Sequence, residues 1–170
     1  ILRCLFAGSD LLCIGDKRSE FSTLPLSAWR GLAFKQFIVP SPMSKPTGRT
    51  QEGKLSTHAL DNTGPRRFLV IDFDTGTVDE HAAILIHLAT LAPLVLALHT
   101  GGKGLHGWFQ AENEAEDRLR AFMAYAITLG ADDATWNRSL FVRMPDGLRD
   151  NGQRQTVYYF APEFAKGGKR

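Results

Sequence analysis

The chain has 170 residues, 44% of them hydrophobic and 22% charged, which fits one soluble globular domain with a sizeable core. A net charge of +2 is too small to demand a nucleic-acid partner and still leaves room for a local basic groove. No apolar run approaches the roughly 18 residues of a membrane span, and no signal-peptide pattern is present, so no membrane partner is expected.

The two cysteines, Cys4 and Cys13, lack metal-ligand spacing and read as reduced, buried residues of a cytoplasmic protein. Leu11 to Ile14 is a short apolar run that reads as a strand. Ser22 to Leu32 reads as a short helix with Pro25 in its first turn. Phe37 to Val39 reads as a strand stopped by Pro40 and Pro42. The polar stretch 41–64 carries Pro42, Pro46, Gly48, Gly53 and Gly64 together with Lys45, Arg49 and Lys54. It is either a mobile surface loop or a basic flap over a nucleotide or template strand. Residues 1–66 thus read as an N-terminal αβ unit and basic loop, belonging to the same domain as residues 67–162.

Arg67 to Asp74, RFLVIDFD, reads as one strand. Leu69, Ile71 and Phe73 point to one face; Phe68, Val70, Asp72 and Asp74 point to the other. Both faces are apolar at the start, which suits a central, doubly covered strand. Asp72 and Asp74 lie about 6–7 Å apart along the strand. They repel each other unless a cation lies between them, the arrangement that holds Mg²⁺ or Mn²⁺ through oxygen ligands. The alternative is a strand end whose acids turn into solvent.

Thr77 and Glu80 form a capping-box pattern that opens a helix with a core stripe of His81, Leu85, Leu88 and Leu91, ended by Pro93. Leu94 to Thr100 and Leu105 to Gln110 read as a hairpin around Gly101-Gly102-Lys103-Gly104. Glu112 to Leu129 reads as a helix with Ala115, Leu119, Phe122, Met123 and Ala126 on one stripe and structural acids in its first turns. Phe141 to Arg143 and Thr156 to Phe160 are the last strands, and residues 163–170 read as a flexible tail. From Arg67 to Pro162 the order is βαββαβ, the α+β ferredoxin-like or RNA-recognition-motif-like arrangement, with both helices on one face of the sheet and the other face open.

The hairpin adds chemistry. Its glycines let the backbone approach an anion, and free N–H groups in such a turn cradle phosphate. Lys103 puts a cation at the tip. His106 sits just inside the second strand, within reach of a phosphate oxygen. Trp108, on the same face, either stacks a base or packs under the 41–64 loop. A DxD strand beside a GGKGxH hairpin suits a nucleoside triphosphate with its metals.

Three motifs carry a resemblance. RFLVIDFD, HTGGKGLH and FVRMPDGLRDNGQRQTVYYF, in this order, resemble the catalytic core of the archaeo-eukaryotic primase superfamily, in particular the primase-polymerase domains of plasmids, phages and mobile elements. The resemblance covers about Phe37 to Pro162. It implies that Asp72 and Asp74 hold the catalytic Mg²⁺ or Mn²⁺ ions. It implies that Thr100, Gly102, Lys103, Gly104 and His106 bind the triphosphate, and that Arg143 lies near the nucleotide or primer terminus. The family uses a third metal-binding acid. Asp132 fits its pattern best, Asp133 is adjacent, and Asp146 is the competitor. Asn137 stands where many relatives carry Asp. The implied activity is template-directed nucleotidyl transfer in DNA replication on a single-stranded DNA template, with a helicase domain or protein as a further partner. Arg149 and Arg154 would track the template backbone. The rival readings are a metal-dependent nuclease with His106 as acid or base and a non-catalytic single-strand-binding module.

Overall fold

The computed structural model describes residues 1–165 as a mixed α+β protein with mostly antiparallel sheets and few helices. A one-turn helix α1 (Leu2–Leu5) precedes a hairpin of β1 (Leu11–Lys17) and β2 (Glu20–Pro25). Then come β3 (Phe37–Ile38) and a two-residue ribbon of β4 (Gly48–Arg49) and β5 (Leu55–Ser56). The βαββ run consists of β6 (Phe68–Asp72), α2 (Val78–Ala89), β7 (Leu94–His99) and β8 (Leu105–Gln110). After it lie α3 (Glu116–Thr128), β9 (Val142–Arg143) and β10 (Val157–Phe160). One sheet has the order β2-β1-β3-β9 and the other β10-β7-β8-β6. No described helix is long and apolar enough to cross a membrane.

The alternation expected in RFLVIDFD is what splits the core in two. Leu69, Ile71 and Phe73 pack with Leu85 and Leu88 of α2, Leu119 and Met123 of α3, and Phe109 of β8. Phe68 and Val70 pack with Leu96, Leu98 and Trp108, and across to Leu12, Ile14, Ile38 and Val142 of the first sheet. Each such aliphatic burial contributes about 1.5–3 kcal/mol. Both helices therefore lie on one face of the second sheet. The other face, expected to be open, is covered by the first sheet, because its inward residues are as apolar as those under the helices.

The β6 strand is covered on both faces yet stands at the edge of its sheet and not at the centre. It pairs with β8 alone, and β10 adds to the far side of β7. α2 comes down close on β8 because a Cβ at Gly107 would overlap the Leu85 side chain. Its start is the expected capping box: Glu80 N–H donates to Thr77 Oγ1 at 3.2 Å, and Thr77 N–H donates to Glu80 Oε2 at 2.7 Å. His81, Leu85 and Leu88 are buried, but Leu91 lies beyond the helix end and is exposed.

Several expectations fail for local reasons. Ser22 to Leu32 is not a helix. Its first half is β2, which pairs with β1 from Leu11↔Pro25 to Lys17↔Glu20, and Pro25 ends that strand in place of opening a helix. The helix expected from Glu112 starts at Glu116, because Asn113 takes a positive φ of 65° that no α-helix accommodates. Residues 41–64 are not a structureless flap. Asn62 is fully buried and ties the segment together: its side chain donates to Lys45 O and Thr57 O and accepts from Ala59 N–H. Lys45 pairs with Asp61 and Lys54 with Glu52, so these two charges are compensated locally, and the Arg49 guanidinium donates to Gly53 O. Cys13 is buried as expected, whereas Cys4 is exposed. Order extends past 163: Pro162–Phe164 form a 3-10 turn and Ala165 is buried in the core. The rest of the expected tail, residues 166–170, lies outside the described residues.

Candidate active site

The site forms where β6 and β8 end together. Their register sets Asp72 opposite His106. Both point to the face of the first sheet, the side of Val70 and Trp108. His106 Nε2 lies 3.1 Å from Asp72 Oδ1, and the imidazole is buried. Burial alone would raise the pKa of Asp72. The His106 hydrogen bond and charge, the Phe73 N–H and the charge of Arg143 outweigh it and hold the carboxyl below the usual aspartate range.

The glycine turn locks onto this strand end. Thr100 N–H donates to Gly104 O at 3.0 Å, closing the hairpin. A Cβ at Gly104 would stand 2.5 Å from Phe73 O, so only glycine lets the turn lie on the backbone between Asp72 and Asp74. Asp132 is brought in by its backbone: its N–H donates to Asp72 O at 2.9 Å. Arg143 arrives on β9, opposite Phe37 of β3, with its guanidinium 4.7 Å from the Phe37 ring centre.

These segments enclose a cleft of about 420 Å³. Asp72, Asp74 and Asp132 line it, as do Thr100, Gly102, Lys103, Gly104, His106 and Arg143. Residues expected to act together, from positions 72 to 143, thus share one cavity. Asp146 does not join them. It has a positive φ of 56°, and its carboxylate accepts from Val157 N–H at 3.1 Å, so it shapes the turn before β10. Trp108 is also excluded from ligand contact. It is fully buried between the sheets, 5.5 Å from the Phe68 ring, and packs neither on a base nor under the 41–64 segment.

Two further cations line the cleft: Arg18, for which no role was expected, and Arg149, which was expected along the template backbone. Arg18 sits in the β1–β2 turn, and Arg149 reaches in from the loop before β10, its guanidinium 3.4 Å from Thr100 O. Arg18 was hidden because the β1–β2 hairpin was not recognised; a Lys17-Arg18 pair at a strand turn was the available signal. The cleft therefore holds four cationic side chains, Arg18, Lys103, Arg143 and Arg149, against the three acids. Burial, then repulsion from Arg149 and Arg18, push the Arg143 pKa down to about 10, with Asp72 and Asp150 pulling the other way. Crowded cations of this kind are relieved by a bound polyanion.

Oxygen donors of the kind a hard divalent cation takes are present in Asp72, Asp74 and Asp132. The Asp132 carboxylate accepts from Ala134 N–H at 3.0 Å and caps a 3-10 turn. Among the described residues no three His, Cys, Asp or Glu side chains converge to hold a metal ion by themselves. No family model matches the chain, and no curated protein or solved structure is significantly similar to it.

Proposed function

We propose that the cleft binds a nucleoside triphosphate and that the chain is a divalent-metal-dependent primase-polymerase domain, extending DNA on a single-stranded template in the replication of a mobile element. We read the β6-to-β10 unit as a variant of the ferredoxin-like core, supported by the split βαβ around β8 and by both helices on one face. The observation that carries the functional reading is the convergence of the DxD strand, the GGKG turn and Arg143 on one cavity lined by three acids and four cations. Acids alone would repel a triphosphate, and cations alone would not need the acids.

Asp72 and Asp74 fit Mg²⁺ or Mn²⁺, since such ions use one or two protein carboxylates and complete their shell with water and substrate phosphates. A bound ion of this class supplies charge neutralisation at the phosphates and a more acidic attacking hydroxyl. The protein's own part is positioning. His106 spends its Nε2 on Asp72, so its role shifts from phosphate donor to holding that carboxylate in place. Lys103, Arg143, Arg149 and Arg18 neutralise the triphosphate, and Gly102 and Gly104 of the turn line the cleft beside them. A nuclease reading draws on the same His106–Asp72 pair as an acid–base dyad. It gives the triphosphate-cradling Gly101–Gly104 turn at the cleft no specific task.

Arg143→Ala is expected to weaken binding of a magnesium nucleoside triphosphate about 10- to 100-fold, the loss for hydrogen bonds to a charged group. Titration calorimetry reads this directly. An unchanged affinity, or no binding by the wild type, contradicts the proposal.

A further inference from the structure

The Thr100–Gly104 turn has a second side. β10 is an edge strand, and its pairing with β7 is irregular between Val157 and Tyr159, so two β10 residues oppose one on β7. Val157 and Phe160 pack on the inter-sheet core. Tyr158 and Tyr159 do not, and are 68% and 43% exposed. The Tyr158 ring lies 6.2 Å from that of His99, the last residue of β7. His99 is fixed to the turn, since its Nδ1 accepts from Gly101 N–H at 3.2 Å. The next residue, Thr100, already lines the cleft.

Cations flank the turn to which His99 is fixed. Lys103 stands exposed at the tip of the turn. The Arg149 side chain and the Arg154 backbone lie against the turn: a Cβ at Gly101 would be 2.9 Å from Arg149 Cδ and 3.2 Å from Arg154 O, and the exposed Arg154 guanidinium donates to Asp146 O at 2.8 Å. None of the three forms an ion pair among the described residues.

We infer that Tyr158 and His99 form a base-stacking platform for single-stranded nucleic acid, which runs from the cleft over the Thr100–Gly104 turn. A single strand offers both features the surface matches, phosphates for Lys103, Arg149 and Arg154 and unpaired base faces for Tyr158. A duplex hides its base faces. A peptide adding to the free β10 edge would make no use of three cations. The inference names the template-binding surface of the proposed polymerase and rests on that reading for its biological role.

The test is fluorescence anisotropy of a labelled thymidine oligonucleotide about 12 nucleotides long, near the upper site size of small single-strand binders. Tyr158→Ala should weaken binding about 5- to 100-fold, as expected for one lost base stack, and Tyr158→Phe should restore it. The affinity for a magnesium nucleoside triphosphate should stay the same in both variants. Equal oligonucleotide affinity in wild type and Tyr158→Ala overturns the inference, as does a wild type that does not bind the strand. Parallel loss of triphosphate binding also overturns it, since the platform would then not be separate from the cleft. A Tyr158→Ala variant that only converts a dimer to a monomer in sedimentation makes the patch a self-association surface and overturns it too. Tyr158-dependent strand binding without any nucleotide incorporation upholds this inference while the proposed function fails.

Discussion

Asp72→Asn is expected to lower metal-dependent nucleotide incorporation by about a hundredfold or more, the scale set by removing one preorganised electrostatic group at a reacting centre. Asparagine keeps an oxygen for His106 Nε2 to donate to, so the fold should survive. Asp72→Ala is a different experiment. It leaves the buried His106 ring without its one partner, because Nδ1 already has none among the described residues. An orphaned buried polar group costs about 1–3 kcal/mol, which in a chain of this size lowers Tm by roughly 2–12 °C.

Acid should separate the variants as well. The Asp72 carboxyl is held below its ordinary value, with burial opposing and His106 chiefly favouring the charged form. Its stabilisation is fully present above the unfolded-state value of about 3.9 and is lost as pH falls through the lowered native value. Asp72→Asn should therefore flatten the acid limb of the stability curve. Identical acid limbs and identical incorporation rates in the two proteins would make Asp72 a solvated strand end.

Trp108→Ala should cost about 3–5 kcal/mol, the loss for a large buried aromatic, and lower Tm by roughly 6–20 °C. Trp108 is fully buried where the two sheets meet, so no other side chain can fill its volume. Trp108→Phe should cost only about 1–2 kcal/mol. Its phenyl ring keeps the contact with Phe68, and the indole N–H it removes makes no hydrogen bond among the described residues. Were Trp108 a base-stacking residue, Trp108→Ala would weaken strand binding and leave Tm alone. The thermal melt decides between these outcomes.

Trp108 also marks where sequence reasoning reaches its limit. Alternation placed it on the face of His106, correctly, but could not say that a second sheet covers that face. Strands at Leu11 to Ile14, Phe37 to Val39 and Phe141 to Arg143 are each legible in the sequence, but their pairing into one covering sheet is tertiary information that no local pattern carries. β2 misled because it is an edge strand with an exposed Leu24 and a terminal Pro25, so its pattern fits a helix start equally well. The cleft was more legible than the fold around it. A DxD strand and a glycine hairpin encode their chemistry locally, in eight or so adjacent residues each. Arg18 and Arg149 reach the cleft through tertiary packing of a turn and a loop, so their place beside Asp72 could not be read from local pattern. Asp132 and Asp146 each cap a backbone N–H, and only the tertiary structure separates them: Asp132 lines the cleft and Asp146 does not.

The most direct test of the central proposal is nucleotide incorporation on a single-stranded DNA template with Mg²⁺ or Mn²⁺, with and without a primer, comparing wild type with Asp74→Ala. Asp74 lines the cleft, and its carboxylate accepts no hydrogen bond among the described residues, so its loss should spare the fold. The account predicts incorporation by the wild type that disappears in the variant. Degradation of the template, or no incorporation by a wild type that binds the triphosphate, would contradict it.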